Sequence, residues 1–252
     1  MSTVAWTGDA IALNDLAQFL DRFFAVHRFG DDQGGIYQPS LRPIRRIGLA
    51  LEPWAGLPEW ATSQHLDALF FHRPWKLEAG QLAPDVGVVA YHLAFDERMT
   101  LGFNPRLADV LGMSALEVLG EKEGRPIGTI GEISAQSFVS YCDSVREIFG
   151  GYDKTLASSG SDIQRVAVVG AMTDALIREA AMRGADLYIT GQLRQPAAAA
   201  VEATGIRVIA VGHRRSEEWG LRSLTGVLRD RYFDLEVVLP PVGAIAFAPS
   251  DA

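Results

Sequence analysis

The segment that decides the fold reads Val86-Gly-Val-Val-Ala-Tyr-His92-Leu-Ala-Phe-Asp96. Its first six residues form an apolar run of the length and composition that are typical of a buried strand. The run ends at a histidine, and an aspartate follows four residues later. In α/β proteins, side chains at the carboxyl ends of strands face the crevice in which ligands usually bind. The segment therefore predicts a buried strand that brings His92 and Asp96 to a ligand site.

Two further segments end in the same kinds of side chain. They read Asp67-Ala-Leu-Phe-Phe-His72-Arg-Pro and Ile206-Arg-Val-Ile-Ala-Val-Gly-His213-Arg-Arg-Ser-Glu217. Three of the five histidines thus follow strand-like runs, and two of the three have a carboxylate four residues later. Imidazole and carboxylate groups are ligands for Zn, Fe and Mn. The repeated arrangement predicts a metal site.

A structural interpretation of these residues competes with the metal site. A single histidine at a strand end is more often structural, Asp96 would then cap a loop, and Glu217 would lie in the first turn of a helix, where the dipole favours an acid. The repeated spacing favours the metal site, because four residues past a strand end let the chain turn once and bring both side chains to one point. His27 and His65 lie in polar or helix-end contexts and are expected at the surface.

Strand-like and helix-like segments alternate along the chain with short connections, which is typical of an α/β fold with helices that cover the sheet. We expect two similar α/β lobes, over residues 1–123 and 124–252, with mixed sheets flanked by helices. Ser134 is expected to cap a helix over residues 135–149, and the last helix is expected over residues 217–231. Residues 30–43 are expected to form a loop.

Composition limits the class of partner. Hydrophobic residues make up 48% of the chain, which is enough for a core, and the formal charge is −8. This charge argues against a general nucleic-acid binder or an anionic-membrane binder. No apolar run approaches the roughly 20 residues of a membrane span, and the start of the chain has no signal-peptide pattern, so we expect a cytoplasmic protein. The single Cys142 lies in a helix-like pattern and is expected to be structural.

The order of these segments resembles the NIF-three-like family, the dinuclear-metal hexameric proteins also described as GTP cyclohydrolase 1 type 2 homologues. The matching segments are Asp32-Gln-Gly-Gly35, His72-Arg73-Pro74, His92-Leu-Ala-Phe-Asp96, Gly184-Ala-Asp-Leu-Tyr-Ile-Thr-Gly191-Gln192 and Gly212-His213-Arg-Arg-Ser-Glu217. They extend over nearly the whole chain, and the last two are the most specific.

This resemblance implies a metal pocket between two α/β lobes and a homohexameric ring. The metal ligands carried over are His72, Asp96, His213 and Glu217, and His92 becomes a pocket residue that either supports the ligands or acts as a proton carrier. The implied cofactor is one or two divalent ions of Zn, Fe or Mn per chain. The implied activity is hydrolase-like: a metal-activated water attacks GTP or a related nucleotide.

The sequence departs from the family pattern at this pocket. Arg73 stands where the family has a second histidine, and a guanidinium has no lone pair to donate. Its positive charge would oppose a second cation. We therefore expect one reliable metal site, built on His72, His213 and Glu217, with Asp96 freed or paired to Arg73.

Two alternative functions follow from these departures. Gln192 and Pro196 stand where the family pattern has an acid and a histidine. The first alternative is a non-enzymatic, metal-dependent ring-forming scaffold or partner-binding protein with a degraded catalytic site. The second is an anion site in which Arg73 binds phosphate in place of one cation.

Overall fold

The computed structural model of the protein describes residues 10–30, 34–157 and 162–241. Asp32 and Gln33, the start of the first segment that resembles the family, lie outside these residues. The helices in the described part are α1 (Leu13–Phe24), α2 (Leu57–Ser63), α3 (Leu93–Met99), α4 (Pro105–Val110), α5 (Phe138–Phe149), α6 (Asp174–Met182), α7 (Ala198–Thr204) and α8 (His213–Arg231).

The strands alternate with these helices and form two larger sheets and one hairpin. They are β1 (Gly34–Gln38), β2 (Arg46–Ala50), β3 (Ala68–Phe71), β4 (Gly87–Tyr91), β5 (Ser114–Val118), β6 (Glu121–Lys122), β7 (Arg125–Pro126), β8 (Gly128–Gln136), β9 (Lys154–Leu156), β10 (Ile163–Val169), β11 (Leu187–Thr190), β12 (Arg207–Ala210) and β13 (Glu236–Val238). The hairpin consists of β6 and β7.

The first sheet has the strand order β1-β4-β3-β2-β13, with β1 antiparallel to β4 and the other pairs parallel. Every residue of β3 and β4 is buried, as expected for parallel strands covered on both faces. Phe71 at the end of β3 pairs with Ala90 near the end of β4. His72 and His92, which follow these strands, therefore leave the sheet at the same end.

The second sheet has the order β5-β8-β10-β11-β12-β9. Its strands β10, β11 and β12 are parallel, and the remaining pairs are antiparallel. The strands β11 and β12 are buried throughout, and β12 leads through two residues into His213, the first residue of α8. Two mixed sheets with flanking helices confirm the predicted α/β fold class.

The chain divides into two compact units that differ from the expected lobes. One unit comprises Met1–Ala94 and Leu224–Ala252, and the other comprises Phe95–Ser223. The boundary expected between residues 123 and 124 lies inside the second unit, because β5 pairs with β8 in the second sheet. Strand β13 belongs to the first unit, because it pairs with β2. Helices α3 and α8 each continue from one unit into the other.

The start of α5 also differs from the expectation. Strand β8 continues to Gln136, which pairs with Ile163 of β10, so the sheet ladder extends past the expected helix start. Helix α5 begins at Phe138, and Ser137 caps it by accepting a hydrogen bond from the Ser140 amide at 3.1 Å. Cys142 lies on this helix and is buried, and burial raises the pKa of its thiol, as expected for a structural cysteine.

In the described part of the chain, no helix combines the length and the hydrophobicity that crossing a lipid bilayer requires.

Three tyrosines in the described part of the chain are buried, namely Tyr91, Tyr141 and Tyr188. Burial raises the pKa of each phenol above its ordinary value of about 10. Above pH 10 the unfolded chain loses these phenolic protons while the folded chain keeps them. We expect the free energy of unfolding to fall above pH 10, by about 1.4 kcal/mol per pH unit for each tyrosine.

Urea unfolding between pH 9 and 11 measures this slope. The variant Tyr141→Phe removes one titrating group and the hydrogen bond that its hydroxyl donates to the Leu111 carbonyl at 3.1 Å, so its slope above pH 10 should be smaller by about 1.4 kcal/mol per pH unit. An unchanged slope would show that Tyr141 ionises equally in both states.

Candidate metal centre

His72 follows β3 and is completely buried. Its Nδ1 lies 3.1 Å from the main-chain carbonyl oxygen of Tyr91. A carbonyl oxygen only accepts hydrogen bonds, so Nδ1 is the nitrogen that donates a proton, and Nε2 holds the lone pair of the neutral ring. Metal-binding histidines usually donate their second ring N–H in this way. The strand pairing therefore prepares His72 Nε2 as a metal ligand.

Tyr91 itself is fixed from the opposite side. Its hydroxyl donates to Asp21 Oδ1 of α1 at 2.8 Å, and its ring occupies the space where a side chain at Gly34 would lie, since a Cβ there would come within 2.1 Å of the ring. The carbonyl that orients His72 thus belongs to a residue anchored by two elements of the first unit.

His92 follows β4 and is half-buried. Its ring centroid lies 4.8 Å from that of His72, at an interplanar angle of 34°. Trp75 meets the His92 ring edge to face, with centroids 4.9 Å apart. The neighbouring parallel strands therefore place two imidazoles next to each other.

Asp96 lies in the first turn of α3, which begins directly after His92. One potential ligand atom from each of His72, His92 and Asp96 can be chosen so that all three lie within 4.8 Å of one another. Opposite ligands of a metal with bonds of about 2.1 Å are about 4.2 Å apart, which is close to this separation. Two imidazoles and a carboxylate suit Zn, Fe or Mn. The residues fit a divalent metal ion, although the resemblance made His92 a pocket residue rather than a certain ligand.

Helix α3 is held by contacts next to Asp96. Thr100 Oγ1 donates to the Asp96 carbonyl oxygen at 2.7 Å. The neighbouring Glu97 pairs with Arg125 Nε at 3.0 Å, and both side chains are nearly buried. Loss of one partner from a buried pair leaves an uncompensated charge, so this pair opposes displacement of the helix that carries Asp96.

His213 and Glu217 form a pair in the second unit. They lie one helical turn apart on α8, and His213 Nε2 is 2.9 Å from Glu217 Oε1. The Glu217 side chain is 1% exposed and that of His213 is 68% exposed. The spacing of four residues thus brings the two groups together, as expected, but on a helix that begins at His213 rather than at Glu217. Convergence of His213 with His72 on one ion stays a prediction.

Three residues depart from the family pattern, and the structure shows where each of them lies. The Arg73 amide donates to the Leu51 carbonyl at 2.7 Å, and its side chain is half-buried. Gln192 is exposed after β11, and Pro196 lies in a 3-10 turn over Gln195–Ala197. Asp96 belongs to the candidate ligand group, whereas its pairing with Arg73 and the exclusion of a second cation stay predictions.

A cavity of about 330 Å³ adjoins the two imidazoles in the first unit. Trp75 and Tyr37 line it together with His72 and His92, and neither aromatic residue was identified from the sequence. The adjacency of Trp75 to His72-Arg-Pro was a usable signal. The sequence gave no signal for Tyr37, because β1 starts with two glycines and has no alternating pattern. The segment therefore resembled a loop, and the loop expected over residues 30–43 contains this strand.

One family of known proteins matches most of the chain. The sequence profile of Duf34/NIF3 (NGG1p interacting factor 3) matches residues 76–242. The chain belongs to this family. The matched range includes His92, Asp96, His213 and Glu217, whereas His72 precedes it.

Individual relatives cover most of the chain. A GTP cyclohydrolase 1 type 2 homolog of Pseudomonas aeruginosa is 28% identical over 239 residues, which cover 88% of this chain and 94% of the relative. A protein of the same name from Pyrococcus horikoshii is 26% identical over 235 residues, with 87% and 94% covered. The solved structure of the protein ybgI, of unknown function, has a TM-score of 0.73 at 23% identity and covers 91% of this chain and 98% of its own. At that identity the structure supports the fold alone.

Proposed function

We propose that this member of the Duf34/NIF3 family is a metal-dependent hydrolase-like protein that acts on a nucleotide or a related small molecule. The observation that carries the proposal is the group of His72, His92 and Asp96, whose ligand atoms lie within 4.8 Å of one another. The name of both relatives, GTP cyclohydrolase 1 type 2 homolog, supports a nucleotide as substrate. His213 and Glu217 are proposed to complete the coordination, and a homohexamer remains the expected assembly.

A bound divalent ion would supply Lewis acidity and would lower the pKa of a coordinated water, to about 7 in favourable Zn sites. The protein's residues have separate tasks around it. His72 is oriented by the Tyr91 carbonyl. The negative charge of Asp96 offsets part of the positive charge of the ion. His92 is proposed as a ligand, so the nitrogen that binds the ion is not available as a proton carrier.

Elemental analysis of protein purified without added metal, followed by titration with Zn, Fe and Mn, tests the metal site. We expect one tightly bound equivalent per chain, because Arg73 places a positive charge next to His72 along the chain. Two tightly bound equivalents would contradict the single site. Absence of tight binding for all three metals would contradict the proposed function.

A hydrolysis screen distinguishes the proposed hydrolase from a second candidate, a non-enzymatic scaffold. The metal-loaded protein is incubated with the common nucleoside triphosphates, and products are identified by mass spectrometry. The departures at Arg73, Gln192 and Pro196 support the second candidate, a metal-dependent scaffold with a degraded site. Turnover of at least one nucleotide supports the hydrolase, whereas metal binding without any turnover supports the scaffold.

A further inference from the structure

The cavity beside His72 and His92 is also lined by residues that are not candidate metal ligands. These residues are called the cavity wall. The cavity is formed in the first unit by β1, the ends of β3 and β4, and the segment after β3. Its volume of about 330 Å³ is at the lower end of the range of about 300 to 1,000 Å³ for small-molecule sites. Such a space suits a ligand of one or two rings and is too small for a folded partner.

Two large aromatic side chains on this wall are exposed. Trp75 is 64% exposed and Tyr37 is 47% exposed, and both line the cavity. The edge-to-face contact with His92 orients the Trp75 ring, so its position is defined without a ligand. Aromatic side chains bind planar rings by stacking and by edge contacts, beyond the effect of buried area alone. The wall therefore offers a surface for a planar ring.

The glycines of β1 leave the wall open. Gly35 has a φ of +128°, which favours glycine, and a Cβ at this position would meet nothing within 4 Å. Its peptide group therefore borders the cavity without a covering side chain. Together with the two imidazoles it supplies polar atoms at the edge of an aromatic surface. This combination suits a heterocycle with ring nitrogens or exocyclic polar groups better than a hydrocarbon ring.

Charge distinguishes a ring from a phosphate group. The described residues that line the cavity include no Lys and no Arg. Lys and Arg side chains are common phosphate donors in proteins, whereas stacking of a neutral base does not require them. The cavity wall thus favours the base portion of a nucleotide over its phosphates.

We propose that this cavity binds the planar heteroaromatic ring of a nucleoside-type ligand, and that the ring packs against Trp75. The inference rests on the proposed function in treating this ring as part of the substrate, but ring binding itself does not require the metal. Trp75 then determines specificity for the nucleoside, and it lies next to His92, a candidate metal-binding residue.

Calorimetric titration of metal-free and metal-loaded protein with guanosine, adenosine and cytidine tests the proposal, with ribose 5-phosphate as a probe that lacks the aromatic base. We expect at least one nucleoside to bind in both forms and to quench tryptophan fluorescence, and ribose 5-phosphate not to bind the metal-free protein. Trp75→Leu should weaken nucleoside binding about ten-fold, and Trp75→Phe should retain it within about three-fold. Phe233→Leu is the matched control, because Phe233 is 94% exposed and does not line the cavity.

Several outcomes would overturn the inference. Equal nucleoside affinity of Trp75→Leu and the unmodified protein would exclude ring packing on Trp75. Absence of nucleoside binding up to a nucleoside concentration of about 10 mM would also exclude the proposed ring site. A smaller assembly of Trp75→Leu in light scattering, with unchanged nucleoside binding, would assign the side chain to a subunit interface. Metal titration remains a separate measurement: metal binding without ring binding contradicts only this inference, and ring binding without metal binding contradicts only the proposed function.

Discussion

Replacing His72 with alanine is expected to weaken metal binding at least 100-fold, because removal of residues that only hydrogen-bond to metal ligands already costs roughly 10- to 100-fold. His72 is the most completely determined member of the ligand group, because its Nδ1 is fixed by the Tyr91 carbonyl at 3.1 Å. Alanine removes the Nε2 lone pair and leaves His92 and Asp96 as the remaining members of the group. Competition against a chelator of known affinity measures the loss for Zn and Mn.

The matched control for this substitution is His65→Ala. His65 is exposed and lies outside the candidate ligand group, so its loss should leave metal affinity unchanged. Because His72 is buried, its removal also creates a cavity, and a second variant, Asp96→Asn, tests the site with side-chain volume preserved. Equal metal affinity of His72→Ala and His65→Ala would show that His72 is a structural histidine.

Thermal unfolding gives an independent readout of the same prediction. A ligand at 100 times its dissociation constant stabilises the folded state by about 2.7 kcal/mol. We expect this metal-induced stabilisation in the unmodified protein and in His65→Ala, and its loss in His72→Ala. If the metal stabilises all three proteins equally, the ion binds elsewhere.

The strands that carry the site could be predicted from the sequence, because burial on both faces alone determines their apolar composition. Parallel strands buried on both faces need continuous apolar runs, and β3 and β4 have them, each followed at once by a histidine. The pairing of His213 with Glu217 was also predictable, because residues four apart meet on a helix as well as after one turn of a loop.

Other features of the site could not be predicted because they do not depend on side-chain pattern. The hydrogen bond from His72 goes to a main-chain carbonyl, and any residue at position 91 presents such a group. Helix α3 is only seven residues long, too short for a clear period. The extent of each unit depends on long-range pairing, such as that of β13 with β2, which local sequence does not reveal.

The variant Gly102→Ala is expected to lower the free energy of unfolding by about 3 kcal/mol, at the upper end of the usual range for overpacking. Gly102 follows α3, and a Cβ there would lie 2.1 Å from the Glu97 carbonyl oxygen and 2.8 Å from its carbonyl carbon. These are main-chain atoms, so no side-chain rotation relieves the contact, and the end of α3 must move. The expected fall in melting temperature is about 10 °C for a chain of this size.

Gly170→Ala is the matched control, because a Cβ there would be 3.8 Å from its nearest neighbour, Leu101 Cβ, which is an ordinary contact. Its stability should stay within about 1 kcal/mol of the unmodified protein. Displacement of α3 also moves Asp96 and strains the pair of Glu97 with Arg125, so Gly102→Ala should bind metal more weakly even where it is fully folded. Chemical unfolding and metal titration at low temperature measure the two effects separately. Retained metal affinity in a destabilised Gly102→Ala variant would show that Asp96 is not needed for binding, since α3 is the element that positions its carboxylate.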